Sequence, residues 1–460
     1  MKNLKVLLEY QFLFLYLGLI LGLQLIYVNP PWHTNDEDRH FYNAYALSSG
    51  QLIPAEEKGK VGLFMPLALA KDVASFQGIR FCDTIKVKKK VLVELRTHPL
   101  NKHNKVFVEN ASALICPIGY LPAAIFIKIA TSMNLSPIEI GYWGRIGSLF
   151  AYLIIIFFAI KITPYFKSVF FLIALSPMSL YQGSSVTYDT MNLALLFLLS
   201  ALTLKFYFQK EKISINQLLL FFSVAFLHRF VKDGYLFLYF LPLLINISKY
   251  KSKIYFIYSF CLFIIASFIP SKIWDFHLQY HHLAGSIALE KDFLFDLMGN
   301  LQFHLSSPIM ALTDISDNLF NQSKVWILGS VGRFGYSYTL LPTWFSLFIL
   351  LSFVFAAAFE KINNNLLRFN FRLLIIIILV GNILAIISMF YLLSPVGASM
   401  IFGLQGRYFT PFLPLLFSMA FYLNIPKKNI PYLHVIIPTL ATITLLFTIN
   451  YLDNVFYISR

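Results

Sequence analysis

The sequence predicts an all-α polytopic membrane protein with about 11 transmembrane helices (range 10–13), folded as a single membrane domain over residues 1–460. Composition is the first observation behind this prediction: 58% of the residues are hydrophobic, 13% are charged, and the mean hydropathy is +0.68. Soluble domains average about 25% charged residues. The second observation is a series of apolar runs of roughly 20 residues, long enough to cross about 30 Å of hydrocarbon. The third is the placement of lysine and arginine between these runs.

Eleven apolar segments are predicted to span the membrane. They lie near residues 6–28, 146–162, 167–184, 190–208, 215–230, 235–248, 254–272, 340–358, 373–393, 409–424 and 431–451. The pair 215–230 and 235–248 is short and also fits two broken half-spans. The first segment has no small-residue cleavage site before Pro30, so we expect a retained span and not a cleaved signal peptide.

Positive charge predicts that the N-terminus is cytoplasmic. In that orientation the cytoplasmic connections hold the following cations: Lys161, Lys167, Lys205, Lys210, Lys212, Lys249, Lys251, Lys253, Lys361, Arg368, Arg372, Lys427 and Lys428. The net charge of +15 is therefore attributed to topology, and we expect no nucleic-acid partner. Residues 80–105 carry a further group of cations on the predicted outer side, which the charge rule tolerates in loops longer than about 60 residues.

Two long connections, 29–145 and 273–339, are predicted to be extracytoplasmic loops. Within the first, residues 61–76 and 111–133 are predicted to be apolar helices. A membrane span at 111–133 would move every later lysine cluster to the outer side. An interfacial or re-entrant helix is therefore the favoured interpretation of that segment.

Charged residues at the ends of predicted spans define a candidate site on the outer side. Asp36 and Glu37 follow the first span, Asp189 precedes the fourth, and Arg407 begins the tenth. Charged groups at the membrane are costly to bury and tend to be functional. The three carboxylates also suit the first turn of a helix, and Arg407 with Tyr408 also suits an interfacial anchor.

Five segments, in this order, resemble the motifs of a bacterial membrane-protein family known as domain of unknown function 2142. They read NDEDRHFYNAYALSSGQL, LSPMSLYQGSSVTYDTMNLALLFL, LHRFVKDGYLFLYFLPLL, VGRFGYSYTLLPTW and GLQGRYFTPFLPLL, and they extend from about residue 30 to 424. Three departures from the family pattern are present. Asp38 adds a third carboxylate, Lys232 is followed by Asp233 and Gly234, and the sequence Tyr-Ser-Tyr at 336–338 replaces tryptophan–leucine–aspartate.

The family resembles in turn the glycosyltransferases of the C-type fold (GT-C), multi-span enzymes with an acidic motif in the first outer loop. The resemblance implies an enzyme of the bacterial cytoplasmic membrane that moves a sugar from a polyprenyl-phosphate donor to an extracytoplasmic glycan or cell-envelope acceptor. A transporter or flippase of a lipid-linked saccharide is an alternative, as is a non-catalytic subunit of envelope polysaccharide assembly. Charges at one face and no visible internal repeat favour an enzyme over a transporter.

Sugar transfer of this kind requires a base for the acceptor hydroxyl, and the resemblance assigns catalytic roles to Asp36, Glu37 and Asp189. Asp36 is the expected base. The three carboxylates also form a ligand set for Mg²⁺ or Mn²⁺, although many enzymes of this fold act without a metal. His40 lies one helical turn from Asp36 and is expected to orient it or to contact a substrate.

The leaving phosphate requires cations, and we expect Arg407, Lys232 and Arg145 to bind it. The guanidinium of Arg407 matches two phosphate oxygens. Lys232 also suits a turn residue paired with Asp233, and Arg145 also suits a snorkelling anchor. Gln405 and Tyr408 flank the arginine and complete the predicted site.

Overall fold

The computed structural model describes residues 9–79, 82, 85–281, 283, 297–336, 339–360, 369–420 and 432–458. In these parts the chain is mostly helical, as the sequence predicts. The helices of the first half are α1 (Tyr10–Val28), α2 (Glu37–Ser48), α3 (Leu67–Ser75), α4 (Lys89–Leu95), α5 (Leu121–Ser132), α6 (Pro137–Ile162), α7 (Lys167–Ala174) and α8 (Pro177–Gly183). Those of the second half are α9 (Tyr188–Phe208), α10 (Ile215–Val231), α11 (Lys253–Tyr280), α12 (Leu297–Ser306), α13 (Pro308–Gly332), α14 (Thr343–Ala358), α15 (Phe369–Leu392), α16 (Leu413–Ser418) and α17 (Leu433–Phe456).

Six of the described helices are long and apolar enough to cross a membrane: α1, α6, α9, α11, α15 and α17. The chain is therefore a multi-pass membrane protein. Helix α9 is the central one, because 78% of its most apolar stretch is buried, against 28–50% for the other five. The others expose large apolar side chains, as helices that face lipid do.

The five remaining predicted spans are shorter or interrupted in the described residues. Helices α10 and α14 have 17 and 16 residues. The segment 167–184 is divided into α7 and α8 at Pro177, because proline lacks the N–H that would continue the helix. Residues 236–244 and 406–412 form 3₁₀ helices that contain Pro242 and Pro411. Residues 421–424 of the tenth predicted span lie outside the described residues, and the total of eleven spans stays a prediction.

Successive helix ends alternate between two faces of the bundle. At one face Ser168 Oγ donates to Glu360, at 3.1 Å, and the N–H of Ile213 donates to the carbonyl of Lys249. At the opposite face Tyr457 donates to the carbonyl of Tyr27, at 3.2 Å. We call this opposite face, formed by the ends of α1, α11, α15 and α17 and the starts of α6 and α9, the outer face. Charge bias predicts that it is extracytoplasmic.

The first predicted loop contains a small sheet, and the predicted helix at 61–76 is wrong in its first half. Strand β2 (Lys60–Pro66) pairs antiparallel with β1 (Ala55–Glu57) and β3 (Lys105–Glu109). Val61, Leu63 and Met65 are buried, whereas Phe64 between them is 37% exposed. This alternation is that of a strand, but a continuous apolar run conceals it in the sequence. Helix α3 begins only after Pro66.

The second apolar segment of that loop, 111–133, is helical only over α5. Residues 111–114 and 117–120 form 3₁₀ turns before it. Helix α5 packs against α6, so the segment is part of the bundle's outer end. Whether it lies at the interface or re-enters the membrane stays a prediction.

Helix α11 continues to Tyr280, past the predicted start of the second loop at residue 273, and the bounds of that loop stay a prediction. Helix α13 then leads into a short hairpin of β4 (Arg333–Phe334) and β5 (Thr339–Leu340). Helix α13 also packs against the 3₁₀ helix at 406–412. A Cβ added to Gly406 would collide with the backbone of Trp326 and Gly329, so this close approach requires glycine at 406.

Candidate functional site

Four segments that are far apart in the chain meet at the outer face, where their charged side chains form an alternating row. Arg407 Nη2 lies 4.0 Å from Asp36 Oδ2, and Arg407 Nη1 lies 3.3 Å from Asp189 Oδ2. The other oxygen of Asp189 accepts a hydrogen bond from the ammonium of Lys232. We call Asp36, Arg407, Asp189 and Lys232 the charge row. It contains two negative and two positive groups, as predicted members of one site would.

Asp36 is the accessible end of the charge row, with 40% of its side chain exposed. It occupies the left-handed region, with a φ of 55°, immediately before α2. Aspartate adopts this conformation more readily than most residues. The Tyr336 hydroxyl accepts from the Asp36 N–H at 3.0 Å and donates to Asp36 Oδ1 at 3.2 Å. The carboxylate is therefore held from the second outer loop but remains open to a ligand.

Arg407 is the centre of the charge row and is nearly buried, with 7% of its side chain exposed. It follows Gly406, and Thr410 one turn later donates to the carbonyl of Ser330 on α13 at 3.0 Å. The Nε of Arg407 is buried and has no hydrogen-bond partner among the described residues. Buried donors are almost always paired in folded proteins, so a buried donor without a partner marks a position where an anion can bind.

Asp189 and Lys232 form the interior end of the charge row. Asp189 lies in the first turn of α9, and Lys232 follows the last residue of α10. The ammonium of Lys232 lies 4.7 Å from the ring of Tyr188 and 4.4 Å from that of Tyr408. Two aromatic faces and a carboxylate thus hold a cation whose side chain is only 11% exposed.

A cavity of about 350 Å³ opens beside Lys232. Its walls come from the turn after α10, from Pro270 and Trp274 of α11, and from Met389 and Phe390 of α15. The wall is mostly apolar, and its charged lining residues are Arg229, Lys232, Asp233 and Asp275. A cavity of this kind fits an amphiphilic ligand whose charged end contacts Lys232.

Glu37 points away from the charge row and pairs with Arg145. Its two oxygens accept from Arg145 Nε at 2.8 Å and Nη2 at 2.5 Å, and from the N–H groups of Val186 and Thr34. Both side chains are at most 2% exposed. The other donors of Arg145 bind the carbonyls of Ile26, Asn29 and Pro30. The structure therefore places neither residue where it could contact a phosphate.

The pKa of Glu37 reflects this pairing. Burial alone raises the pKa of the carboxyl, but the positive charge and hydrogen bonds of Arg145 outweigh burial and hold it below its ordinary value. Glu37 is thus a buried anion with its hydrogen bonds satisfied. It ties α1, α2, α6 and the start of α9 together at the outer face.

His40 lies beside the charge row, but its ring nitrogen does not bind Asp36. Nδ1 is 2.8 Å from the hydroxyl of Tyr120, and the ring lies edge-on to Tyr188, with centroids 4.8 Å apart. Burial lowers the pKa of His40 to about 4, so it is neutral near pH 7. The ring thus fills space next to the site as a neutral group.

The remaining predicted residues flank the arginine. Gln405 accepts from the side-chain amide of Asn35 at 2.8 Å, which joins the two motifs that carry Arg407 and Asp36. Tyr408 lies between the two cations, since the guanidinium carbon of Arg407 is 5.2 Å from its ring centroid.

The comparisons with known proteins give one match. The family described as "Predicted membrane protein (DUF2142)" matches residues 19–416, most of the chain and all of the charge row. The chain belongs to this family. No curated protein and no solved structure matches it. Membership of DUF2142 confirms the resemblance of the five sequence motifs to this family, and the family description names no activity. The further resemblance to C-type-fold glycosyltransferases stays a prediction.

Two departures from the DUF2142 pattern lie at the site itself. Tyr336, in the altered segment of the second loop, is the residue that holds Asp36. Asp233, beside Lys232, pairs with Arg229 and leaves Lys232 to Asp189. Residues 337 and 338 of the same altered segment lie outside the described residues.

The described residues of this DUF2142 chain contain no cluster of three or more His, Cys, Asp or Glu residues that suits a metal ion. Of the predicted ligands, Glu37 is bound to Arg145, and the guanidinium of Arg407 lies between Asp36 and Asp189. A divalent cation would therefore have to displace a buried arginine. The residues present do not fit the predicted Mg²⁺ or Mn²⁺ site.

Sequence reasoning did not identify Tyr188 and Tyr336 as part of the site. Tyr188 directly precedes Asp189, and aromatic residues are so frequent in this chain that its position carried no signal. The altered family motif around 336 was the available signal for Tyr336.

Proposed function

We propose that this protein is a membrane glycosyltransferase that moves a sugar from a polyprenyl-phosphate donor to an extracytoplasmic glycan or cell-envelope acceptor. The observation that carries the proposal is the charge row: an accessible carboxylate at one end and a lysine beside a largely apolar cavity at the other. A donor of this class joins an apolar chain to a phosphate, and the cavity offers both environments.

The donor phosphate is proposed to lie between Lys232 and Arg407. Both cations are nearly buried, where charge-assisted hydrogen bonds to an anion are stronger than in water. Binding would release Asp189 from part of its ion pairing, and the free Nε of Arg407 adds a donor. The polyprenyl chain would leave along the apolar wall formed by α11 and α15.

Asp36 is the proposed general base. The acceptor hydroxyl oxygen attacks the anomeric carbon, its proton moves to Asp36, and the bond from that carbon to the phosphate oxygen breaks. The bonding electrons remain on the phosphate, whose developing charge Arg407 and Lys232 stabilise. Glu37 and Arg145 act only by fixing the turn that presents Asp36, and no step of the reaction involves a metal.

The decisive variant is Asp36→Asn in the full-length protein, reconstituted in membranes with labelled polyprenyl-phosphate sugar and an envelope acceptor pool. We expect transfer to fall by at least about 100-fold, the lower end of a general base's typical contribution, while donor binding persists. Asp317→Asn, at an exposed carboxylate on α13, is the matched control and should transfer sugar normally.

Other outcomes would refute the proposal. Undiminished transfer by Asp36→Asn would remove Asp36 as the base. If the wild-type protein forms no product but moves the labelled lipid between leaflets, the protein is a transporter. If it does neither, the non-catalytic assembly role is favoured.

A further inference from the structure

The first outer loop carries a concentration of positive charge that the proposed transfer does not use. Residues 85–96, which we call the basic segment, contain a single acidic residue, Glu94, and the following cations: Lys86, Lys88, Lys89, Lys90 and Arg96. Helix α4 forms its middle. The loop is longer than about 60 residues and so is exempt from the charge bias, which therefore does not account for this excess of cations.

The basic segment is fixed at the level where the membrane spans end. The N–H of Val87 donates to the carbonyl of Phe456, the last residue of α17, at 2.8 Å. Lys86 donates to the carbonyl of Asn454 at 2.8 Å, and α4 packs against α6. The segment therefore lies beside the outer ends of α6 and α17 and does not project away from the bundle.

One exposed tyrosine lies at this level: Tyr27, at the end of α1, is 49% exposed, whereas Tyr142 and Tyr457 beside it are buried. Tyr27 and Tyr142 are 5.1 Å apart by ring centroids, and Tyr457 donates to the carbonyl of Tyr27. Tyrosine is enriched at the headgroup level of membrane proteins. The ammonium of Lys89 lies 5.3 Å from the ring of Tyr457, which is hydrogen-bonded to Tyr27, so the basic segment lies at the level of Tyr27.

The exposed side chains of the basic segment combine cations with apolar groups. The side chains of Lys89 and Lys90 are 63% and 85% exposed. Ile85, Val91 and Val93 are also exposed, at 49%, 39% and 61%. This mixture is typical of segments that lie on a membrane surface, with apolar groups among the lipids and lysines at the headgroups.

Among the described residues, the carboxylates near the basic segment form only weak pairs with it. Lys89 pairs with Asp453 at 3.0 Å, and Lys90 approaches Glu94 only to 3.8 Å. Exposed pairs of this kind are weak. Lys88 has no charged partner in the described ranges of the chain.

We propose that the basic segment is a docking surface for the anionic phospholipid headgroups of the leaflet at the outer face. Charge complementarity and the position of the basic segment at the outer ends of the spans, level with the exposed Tyr27, support this occupant over a soluble polyanion. Docking would hold the first outer loop, and with it the outer ends of α6 and α17, against the bilayer. The proposal does not depend on sugar transfer.

Hydrogen exchange of the full-length protein in nanodiscs tests the docking surface. Amides of residues 85–96 are compared in phosphatidylcholine alone and in phosphatidylcholine mixed with phosphatidylglycerol. We expect exchange in the mixture to slow by roughly fivefold or more, in keeping with the attraction of lysines to an anionic leaflet, and high salt to reverse the effect. Strand β3 of the same loop should exchange equally in both lipids.

Charge-matched variants separate docking from folding. Replacing Lys86, Lys88, Lys89 and Lys90 by Gln should abolish the dependence on phosphatidylglycerol, whereas replacing them by Arg should preserve it. The control removes four other lysines of the loop, by glutamine at Lys58, Lys60, Lys71 and Lys105, and should retain the slowing. Equal exchange in both lipids would overturn the proposal. Slowing in neutral lipid on addition of soluble polyphosphate, without slowing by phosphatidylglycerol, would instead identify a surface for an anionic polymer.

Discussion

Asp36 and Glu37 are neighbours in the sequence, yet they belong to two different kinds of charged region. Glu37 is 1% exposed, and its oxygens accept four hydrogen bonds from Arg145 and two backbone N–H groups. Asp36 is 40% exposed and lies 4.0 Å from Arg407. The hydrogen-bonding groups of the Glu37 region are all paired within the fold, whereas the Asp36 carboxylate is still open to a ligand. Two adjacent carboxylates, each paired with a different arginine, thus have opposite roles.

The largest expected effect comes from breaking the saturated pair. Glu37→Gln leaves the Arg145 charge buried without its partner, and breaking a buried pair in this way costs about 3–5 kcal/mol. We expect a lower melting temperature in detergent and aggregation by size-exclusion chromatography. Asp36→Asn is the matched control, since an accessible carboxylate should change the melting temperature little. A Glu37→Gln protein that melts like wild type would show that the pair does not stabilise the fold.

A substitution in the charge row should instead affect activity more than stability. Arg407→Lys keeps one positive charge but loses the planar group that reaches both Asp36 and Asp189. We expect sugar transfer to fall by roughly 100-fold, as for the loss of one oriented donor to a developing charge. Its melting temperature should remain much closer to wild type than that of Glu37→Gln. The reverse pattern would assign Arg407 to the fold and not to the site.

Tyr336→Phe should have a smaller effect, because it removes only the hydroxyl that holds Asp36. A hydrogen bond of this type contributes about 0.5–1.5 kcal/mol, so transfer should decrease by roughly two- to tenfold. Unfolding should be nearly unchanged. Wild-type transfer in this variant would mean that the second outer loop does not position the base.

The smallest effect concerns pH. The pKa of His40 is about 4 in the folded protein and 6.5 ordinarily, so between these values the unfolded chain binds a proton that the folded chain does not. Stability should therefore decrease as the pH falls from 6.5 toward 4. In His40→Gln the melting temperature should depend much less on pH over most of this range. The pKa of Glu37 in the folded protein lies below its ordinary value of 4.5. Protonation of Glu37 should therefore continue to lower the stability of His40→Gln as the pH falls below 4.5. An unchanged pH profile in His40→Gln would contradict the buried neutral histidine.

Sequence patterns identified the segments that form the site more reliably than they identified which side chains interact there. The motif order identified the family, and span-end charges selected Asp36, Glu37, Asp189 and Arg407. The structure brings these together except for Glu37, which pairs with Arg145. The expected need for phosphate-binding cations added Lys232, which also lies in the charge row. Arg145 was expected on the same ground, but its donors bind Glu37 and three backbone carbonyls. Position at a span end does not reveal which partner a charged side chain reaches.

The membrane class follows from the sequence alone, because the length and apolar composition of a run decide whether it can cross the hydrocarbon. The family also follows from the sequence, through its ordered motifs. That residues 60–66 form a strand is visible only in the folded chain, since a buried apolar run has no visible period. Only the tertiary structure separated Asp36 from Glu37, because a left-handed residue before α2 directs adjacent side chains to different neighbours. Those neighbours come from α6, α9 and the segment at 406–412, whose packing in space no local pattern specifies.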